Sequence, residues 1–181
     1  MKNKYFKFIL IIFGILFSNS CINENIGLIV KMDKKTFENE RSLWNSNNIK
    51  NYQFIYDFFD DAGPVGPIKV TVKEDEEPII EKPEWDDWYI LKNISEVYDF
   101  INGTFDYIED VKNNKYNGFK IRSLTLKISY DSVYHYPKKV NFSVGYFEPV
   151  DGGESYTLKI TEFNTKNFVV YCSMQACILD K

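Results

Sequence analysis

The three cysteines of this chain are the residues whose surroundings point most directly to a chemistry. Cys21 comes after a positively charged stretch, an apolar run from Phe8 to Phe17 and the small or polar residues 18–20. That order is the layout of a secretory signal peptide. In bacterial lipoprotein precursors, a cysteine directly after the cleavage point receives a diacylglycerol on its thiol. The sequence therefore predicts that Cys21 is lipidated.

The apolar run is too short for a stable membrane span. Ten apolar residues rise only ~15 Å as a helix, about half the hydrocarbon thickness of a bilayer. We therefore predict that residues 1–20 are a signal peptide that is removed and that residues 21–32 are a lipidated tether. The alternative is a plain signal peptide with a cysteine nearby by chance.

Lipidation would make the bilayer a partner of the protein. Several acyl chains, each contributing ~0.8 kcal/mol per buried methylene, hold a protein on a membrane without an apolar span. The residue after Cys21 is Ile22 rather than Asp, which favours the outer membrane in enteric-type sorting. The predicted location is the bacterial cell envelope, with the outer membrane favoured over the inner membrane.

The other two cysteines, Cys172 and Cys177, lie close together in the sequence C-S-M-Q-A-C. An extracytoplasmic compartment is oxidising, so a short-range disulfide between them is predicted. A metal or redox pair is the alternative, but the spacing is not C-x-x-C and the only histidine lies far away in the sequence. Residues 166–181 are therefore interpreted as a C-terminal tail with a disulfide.

The charge of the chain argues against one class of partner. The full sequence has 22 basic and 26 acidic residues, a net charge of −4, and without the three lysines of residues 1–20 the net charge is −7. A net negative charge disfavours binding to phosphate backbones and to anionic lipids. We therefore expect no nucleic acid partner and no binding of anionic lipid by overall charge.

His135 is the only histidine and lies between Tyr134 and Tyr136. A general base needs a partner that orients it, and no motif marks a serine or cysteine nucleophile. His135 is therefore interpreted as a turn residue, and we predict a non-enzymatic protein with no catalytic residue and no cofactor. A polar pocket around Asp57, Asp131 and His135 would favour the opposite conclusion.

An acidic, proline-interrupted stretch, Glu74–Asp87, is predicted to be an exposed loop. Adjacent carboxylates point apart, and the stretch has no glycine for the sharp turn of a calcium loop, so no metal site is predicted. Trp85 within it and Trp88 directly after it could anchor a protein or glycan partner. The alternative is that both side chains fold back onto the core.

The helical part of the chain is predicted to consist of two amphipathic helices. Asp33 can cap a helix that extends to about Ser46 and places Phe37 and Trp44 on one face. A second helix is predicted for Ser95–Asn113, capped by its own first serine, because apolar residues recur there at steps of three and four.

Five segments show the alternation of apolar and polar residues that is typical of half-buried strands. The first two, Tyr52–Phe58 and Ile68–Val72, are predicted to form a hairpin around a Gly/Pro turn at Ala62–Pro67. The other three are Leu124–Tyr130, Val140–Tyr146 and Tyr156–Thr161.

The predicted element order is α-β-β-α-β-β-β. Amphipathic strands with few helices favour an α+β fold, with a single antiparallel sheet of about five strands and both helices packed on one face. Residues 33–165 have the usual size of one domain.

Several short motifs lie along the chain in a definite order and spacing. They are Trp44, Asn51-Tyr52, Gly66-Pro67-Ile68-Lys69-Val70-Thr71-Val72, Val97-Tyr98-Asp99-Phe100-Ile101, Tyr130-Asp131 and Tyr136-Pro137. In this order and spacing they resemble the family of small bacterial lipoproteins catalogued as domain-of-unknown-function 6174. The resemblance extends from about Leu43 to Phe163, and it implies the fold and the envelope location but no activity.

The chain departs from that family pattern at two places. Many members carry cysteines in the first hairpin, where this chain has Phe58-Phe59-Asp60-Asp61. Many members have glycine before the Tyr-Pro pair, where this chain has His135. A role that depends on hairpin cysteines is therefore not expected here.

These observations favour a membrane-anchored envelope lipoprotein that acts as a non-enzymatic binding or structural module, with an envelope protein as a further partner. The alternative hypothesis is a periplasmic enzyme or small-ligand carrier with a pocket between the sheet and the helices. A concave pocket at that place would favour the alternative, and a filled core would favour the first hypothesis.

Overall fold

The computed structural model describes residues 28–82, 90–115 and 118–165, which form two helices and seven strands. In chain order the elements are β1 (Ile29–Lys31), α1 (Lys34–Asn47), β2 (Tyr52–Asp60), β3 (Gly63–Val72), β4 (Ile79–Glu81), α2 (Ile94–Lys112), β5 (Ile121–Tyr130), β6 (Pro137–Tyr146) and β7 (Tyr156–Asn164).

All of these strands belong to one sheet, in the order β1-β5-β6-β7-β2-β3-β4. Neighbouring strands are antiparallel except β1 and β5, which run parallel. The α+β class with two helices and one sheet is confirmed. The predictions of about five strands, of a purely antiparallel sheet and of the order α-β-β-α-β-β-β were wrong. Strands β1 and β4 were missed because three residues are too few to show a period of two.

Helix α1 begins where Asp33 accepts hydrogen bonds from the first turn, as predicted. Its carboxylate accepts from the backbone N–H of Thr36 at 2.9 Å and from the Thr36 hydroxyl at 2.7 Å. These bonds favour the ionised form and lower the pKa of Asp33. Phe37 and Trp44, which were predicted to share one face, are both buried.

Helix α2 is capped by Asn93 rather than by Ser95. The side-chain oxygen of Asn93 accepts a hydrogen bond from the backbone N–H of Glu96 at 2.8 Å. The Glu96 carboxylate in turn accepts from the backbone N–H of Lys92 at 2.8 Å. This reciprocal arrangement satisfies two amides at the start of the helix. Ser95 lies one residue inside the first turn, so its hydroxyl is not at the capping position.

Both helices pack on the same face of the sheet. The rings of Trp44 in α1 and Tyr52 in β2 lie 5.6 Å apart, and the Tyr52 hydroxyl accepts a hydrogen bond from the backbone N–H of Ile94 in α2. The two helices also contact each other, with the rings of Phe37 and Phe105 4.8 Å apart. The core therefore lies between the helix pair and one face of the sheet.

The β2–β3 hairpin is longer than predicted because its turn contains only Asp61 and Ala62, while the residues from Gly63 to Pro67 lie within β3. At Gly66 and Pro67, strand β3 has two residues opposite the single residue Asp57 of β2, which is a β-bulge. Gly66 has a φ of +115°, a conformation that residues with a side chain rarely adopt. The glycine therefore allows the strand to continue through a segment that was predicted to be a turn.

Strand β1 lies inside the range that was predicted to be a tether. Residues 29–31 pair in parallel register with residues 123–125 of β5. The folded domain therefore begins before Asp33, and the predicted tether 21–32 is too long at its C-terminal end.

Candidate functional site

The residues predicted to be sites of lipidation, disulfide formation and partner contact lie outside the described part of the chain. They are Cys21, Trp85, Trp88, Cys172 and Cys177. Their roles therefore stay predictions. Within the described residues, no group of histidine, cysteine, aspartate and glutamate side chains is arranged to hold a metal ion. No helix in the same ranges is long and apolar enough to cross a bilayer.

His135 has an orienting partner that the sequence did not reveal. Its Nδ1 lies 2.9 Å from Oε2 of Glu40 on α1, 95 residues earlier in the chain. The two side chains are 26% and 19% exposed. No serine or cysteine of the described residues forms a hydrogen bond with this imidazole. The pair therefore connects the β5–β6 turn to α1.

The β5–β6 turn, residues 131–136, is held to both helices. Asp131 Oδ1 accepts hydrogen bonds from two backbone N–H groups of the turn, at 2.9 and 2.8 Å. The Tyr98 hydroxyl of α2 donates to the carbonyl oxygen of His135, and the Asn47 side chain of α1 donates to the carbonyl oxygen of Tyr134 at 3.1 Å. Asp131 therefore shapes the turn.

The backbone of His135 has a conformation that suits the glycine of the family pattern described above. His135 has a φ of +63°, in the left-handed region. Glycine adopts this region freely, whereas other residues lose ~1–2 kcal/mol there. The hydrogen bonds of His135 with Glu40 and Tyr98 offset that cost in this chain.

Asp57 does not share a pocket with Asp131 and His135. It lies directly opposite Lys159 of β7, on the face of the sheet away from the helices. Three strand spacings of ~4.8 Å separate β2 from β5, so Asp57 lies ~14 Å across the sheet from the start of the β5–β6 turn. The polar pocket that would have favoured catalysis by these three residues is not formed by them.

A pocket of about 370 Å³ lies between β2, β3 and the start of α2. The rings of Phe58 and Phe100 lie 5.8 Å apart in its wall, and Asp60 is the charged side chain among the described lining residues. Its volume is at the lower end of the range for small-ligand pockets, ~300–1,000 Å³. The described residues that line it are Tyr56, Phe58, Asp60, Val65, Ile68, Leu91 and Phe100.

Tyrosine hydroxyls connect the sheet to α2. Tyr52 accepts from the backbone N–H of Ile94 at 3.1 Å, and the hydroxyls of Tyr156 and Thr104 lie 2.6 Å apart. Burial raises the pKa of Tyr52 and of Tyr156 to about 12. These phenols are therefore neutral hydrogen-bonding groups at physiological pH. The alternation of the strands located them in the core, but it gave no sign of their partners.

Comparison with known proteins agrees with the motif resemblance. The sequence model of a family of unknown function (DUF6174) matches residues 36–163, from the first turn of α1 almost to the end of β7. No curated protein matches the chain. The matched region covers most of the sequence and includes both helices and six of the seven described strands. This chain therefore belongs to the DUF6174 family.

Proposed function

We propose that this protein is a bacterial envelope lipoprotein whose α+β domain is a binding or structural module rather than an enzyme. The observation that carries the proposal is the position of Cys21, directly after the apolar run Phe8–Phe17 and the small residues of a signal peptide. In this proposal residues 1–20 are removed, and acyl chains on Cys21 hold the domain at a bilayer, with the outer membrane favoured.

The contacts of the family motifs support a scaffold role for this domain. Asn51 Oδ1 accepts a hydrogen bond from the backbone N–H of Glu74 at 3.1 Å and closes the open end of the β2–β3 hairpin. Tyr136 packs against Phe163 with ring centroids 4.4 Å apart, and Trp44 is buried. Each of these motif side chains is engaged in the fold, so the shared motifs are explained without a shared reaction.

Lipidation is tested by replacing Cys21 in a bacterium that produces the protein. We expect the wild-type protein to incorporate radioactive palmitate, because the thiol is the acyl acceptor. Cys21→Ala should take up no label and accumulate as an unprocessed precursor. Cys172→Ala is a matched control, since it removes a thiol far from the cleavage point, and it should keep the label. Palmitate on the Cys21→Ala protein would refute the proposal.

A second candidate function, the carriage of a small apolar ligand, is favoured by the pocket between β2, β3 and α2. The rings of Phe58 and Phe100 and the side chain of Val65 give it apolar walls, which favour apolar ligands by ~25 cal/mol per Å² buried. The carboxylate of Asp60 repels anions. The ligand class that fits is a neutral or cationic apolar molecule.

Fluorescence of the neutral apolar probe N-phenyl-1-naphthylamine tests this second candidate. We expect the probe to bind the wild-type protein, and we expect Val65→Phe to weaken binding at least ~10-fold because the added ring occupies part of the pocket. Val133→Phe adds the same ring at a position that is 67% exposed and should bind the probe like the wild type. Equal binding by all three proteins would exclude this pocket as the site.

A further inference from the structure

The face of the sheet that carries no described helix is polar, and its charges are unevenly distributed. Residues directly opposite each other in the register share a face, so rows of side chains can be followed across the strands. On β1, β5 and β6 this face carries lysines, hydroxyls, an amide and the exposed Ile29, but no acidic side chain. Two of its rows are Ser129-Lys139-Lys159-Asp57 and Lys127-Asn141-Thr157.

Four lysines form a basic patch on this face. Lys127, Lys139 and Lys159 lie on three adjacent strands, and Lys31 of β1 extends the patch to the edge of the sheet. All four side chains are exposed. None of them forms an ion pair with another described residue. The patch is therefore available to an external anion.

The patch is unfavourable for the stability of the sheet. Lys139 and Lys159 are directly opposite each other in the β6–β7 register, and like charges at such positions destabilise a sheet. On this face the acidic side chains lie on the side of the patch away from β1. Asp57 of β2 lies opposite Lys159, and Glu162 lies further along β7. An arrangement that lowers stability while it exposes four ammonium groups is typical of a binding surface.

Part of the acidic charge of the chain lies towards the other edge of the sheet. The acidic run Glu74–Glu77 follows β3, and Glu81 ends β4, which is the edge strand opposite β1. Glu81 also pairs with Lys69 at 2.8 Å. The sheet therefore has a basic edge and an acidic edge. The net charge of the chain argued against binding of anionic lipid, but it does not give the charge of either edge.

The basic edge is also the edge nearest the predicted anchor. Residues 22–27 lie between the acylation point, Cys21, and Leu28, the first described residue. A chain extends at most ~3.6 Å per residue, so Leu28 lies within ~25 Å of Cys21. Strand β1 begins one residue later, which keeps the basic patch close to the bilayer.

We propose that the basic patch on the helix-free face binds anionic phospholipid headgroups of the bilayer that holds Cys21. The inference rests on the proposed lipid anchor, which brings the patch to the headgroups. Lysines are attracted to anionic leaflets, and the exposed hydroxyls of Ser129 and Ser143 can donate to phosphate oxygens. Binding holds β1, β5 and β6 against the membrane and turns the acidic run Glu74–Glu77 away from it.

Chemical modification of lysines tests which face the membrane protects. The full-length protein is placed in vesicles of phosphatidylcholine alone or with added phosphatidylglycerol, and a water-soluble amine reagent is followed by mass spectrometry. On phosphatidylglycerol we expect the modification of Lys127, Lys139 and Lys159 to fall about fivefold. It should recover in 1 M salt, where the Debye length is ~3 Å. Lys35 and Lys92, on the helix side, should be modified equally in both vesicles.

A matched pair of variants tests the role of charge. Lys139→Gln/Lys159→Gln should abolish the protection of Lys127 on phosphatidylglycerol, whereas Lys35→Gln/Lys92→Gln removes the same charge from the helix side and should keep it. Equal modification of Lys127 in both vesicle types would overturn the proposal. Protection that arises only in native membranes with other envelope macromolecules would also overturn it, in favour of a protein or glycan partner.

The palmitate experiment distinguishes a failure of the patch from a failure of the anchor. A protein that incorporates palmitate but shows no protection keeps the anchor and loses the patch. A protein that takes up no palmitate but is protected on phosphatidylglycerol keeps the patch and loses the anchor.

Discussion

Gly66→Ala is expected to lower the free energy of unfolding by about 3 kcal/mol. Gly66 has a φ of +115° in the β-bulge of β3, and a Cβ there would lie 3.0 Å from the carbonyl oxygen of Tyr56 and 3.2 Å from the backbone nitrogen of Ile68. Both neighbours are backbone atoms of the β2–β3 hairpin, so no flexible side chain can move to make room. The loss corresponds to ~10 °C in Tm for a domain of this size.

Gly103→Ala is the matched control for this substitution. Gly103 lies inside α2, and a Cβ there would meet no heavy atom within 4 Å. Alanine is favoured over glycine in a helix by about 1 kcal/mol, so this variant should be more stable than the wild type. Urea unfolding followed by circular dichroism measures both variants. A Gly66→Ala protein within ~0.5 kcal/mol of the wild type would contradict the assigned role of the bulge.

The domain is expected to lose stability steeply above pH 10. Burial raises the pKa of Tyr52 and Tyr156 from 10.0 to about 12. Below pH 10 both phenols are protonated in the folded and the unfolded chain, so their stabilising contribution is fully present. Above pH 10 the unfolded chain releases these protons first, and each tyrosine lowers the free energy of unfolding by about 1.4 kcal/mol per pH unit. Together they remove roughly 3 kcal/mol per pH unit up to pH about 12.

Tyrosinate absorbance and far-ultraviolet circular dichroism, recorded on the same samples, measure this effect. We expect the exposed tyrosines to titrate first. The tyrosinate absorbance of the buried tyrosines should then appear together with the loss of secondary structure. Burial also raises the pKa of Tyr98 and Tyr130, which adds to the same cooperative transition. Tyr156→Phe should make the stability less dependent on pH, by about 1.4 kcal/mol per pH unit. Complete tyrosinate formation with unchanged circular dichroism would contradict the prediction.

The elements that could be predicted from the sequence are those with a long and regular pattern. Helix α1 was located by Asp33 as its cap and by Phe37 and Trp44 seven residues apart, and all three residues act as predicted. The five long strands alternate over enough residues to be recognised, although their ends extend further than the alternation indicated. Local patterns therefore predicted local structure.

The features that could not be predicted depend on contacts between distant parts of the chain. Strand β1 forms because residues 29–31 pair with the edge of β5, almost a hundred residues later in the chain. Three residues show no alternation of apolar and polar side chains that would indicate a strand. Glu40 is one of two acids on α1, and only the fold brings it to His135. The left-handed backbone of His135 had no sign in the sequence of this chain itself.

The basic patch also arises from the register rather than from the sequence. Lys127, Lys139 and Lys159 are spread over 33 residues and alternate with apolar side chains like ordinary solvent-facing positions. Pairing of β5, β6 and β7 brings them together on one face. The net charge averages this patch with the acidic run Glu74–Glu77, which is why composition alone argued against anionic lipid.

The central claim is that Cys21 anchors the domain to a bilayer, and the mass of the N-terminal peptide of protein purified from membranes tests it most directly. The account predicts a chain that begins at Cys21 and carries a diacylglycerol on the thiol. An N-terminal peptide that begins before Cys21, or that begins at Cys21 with an unmodified thiol, would contradict it.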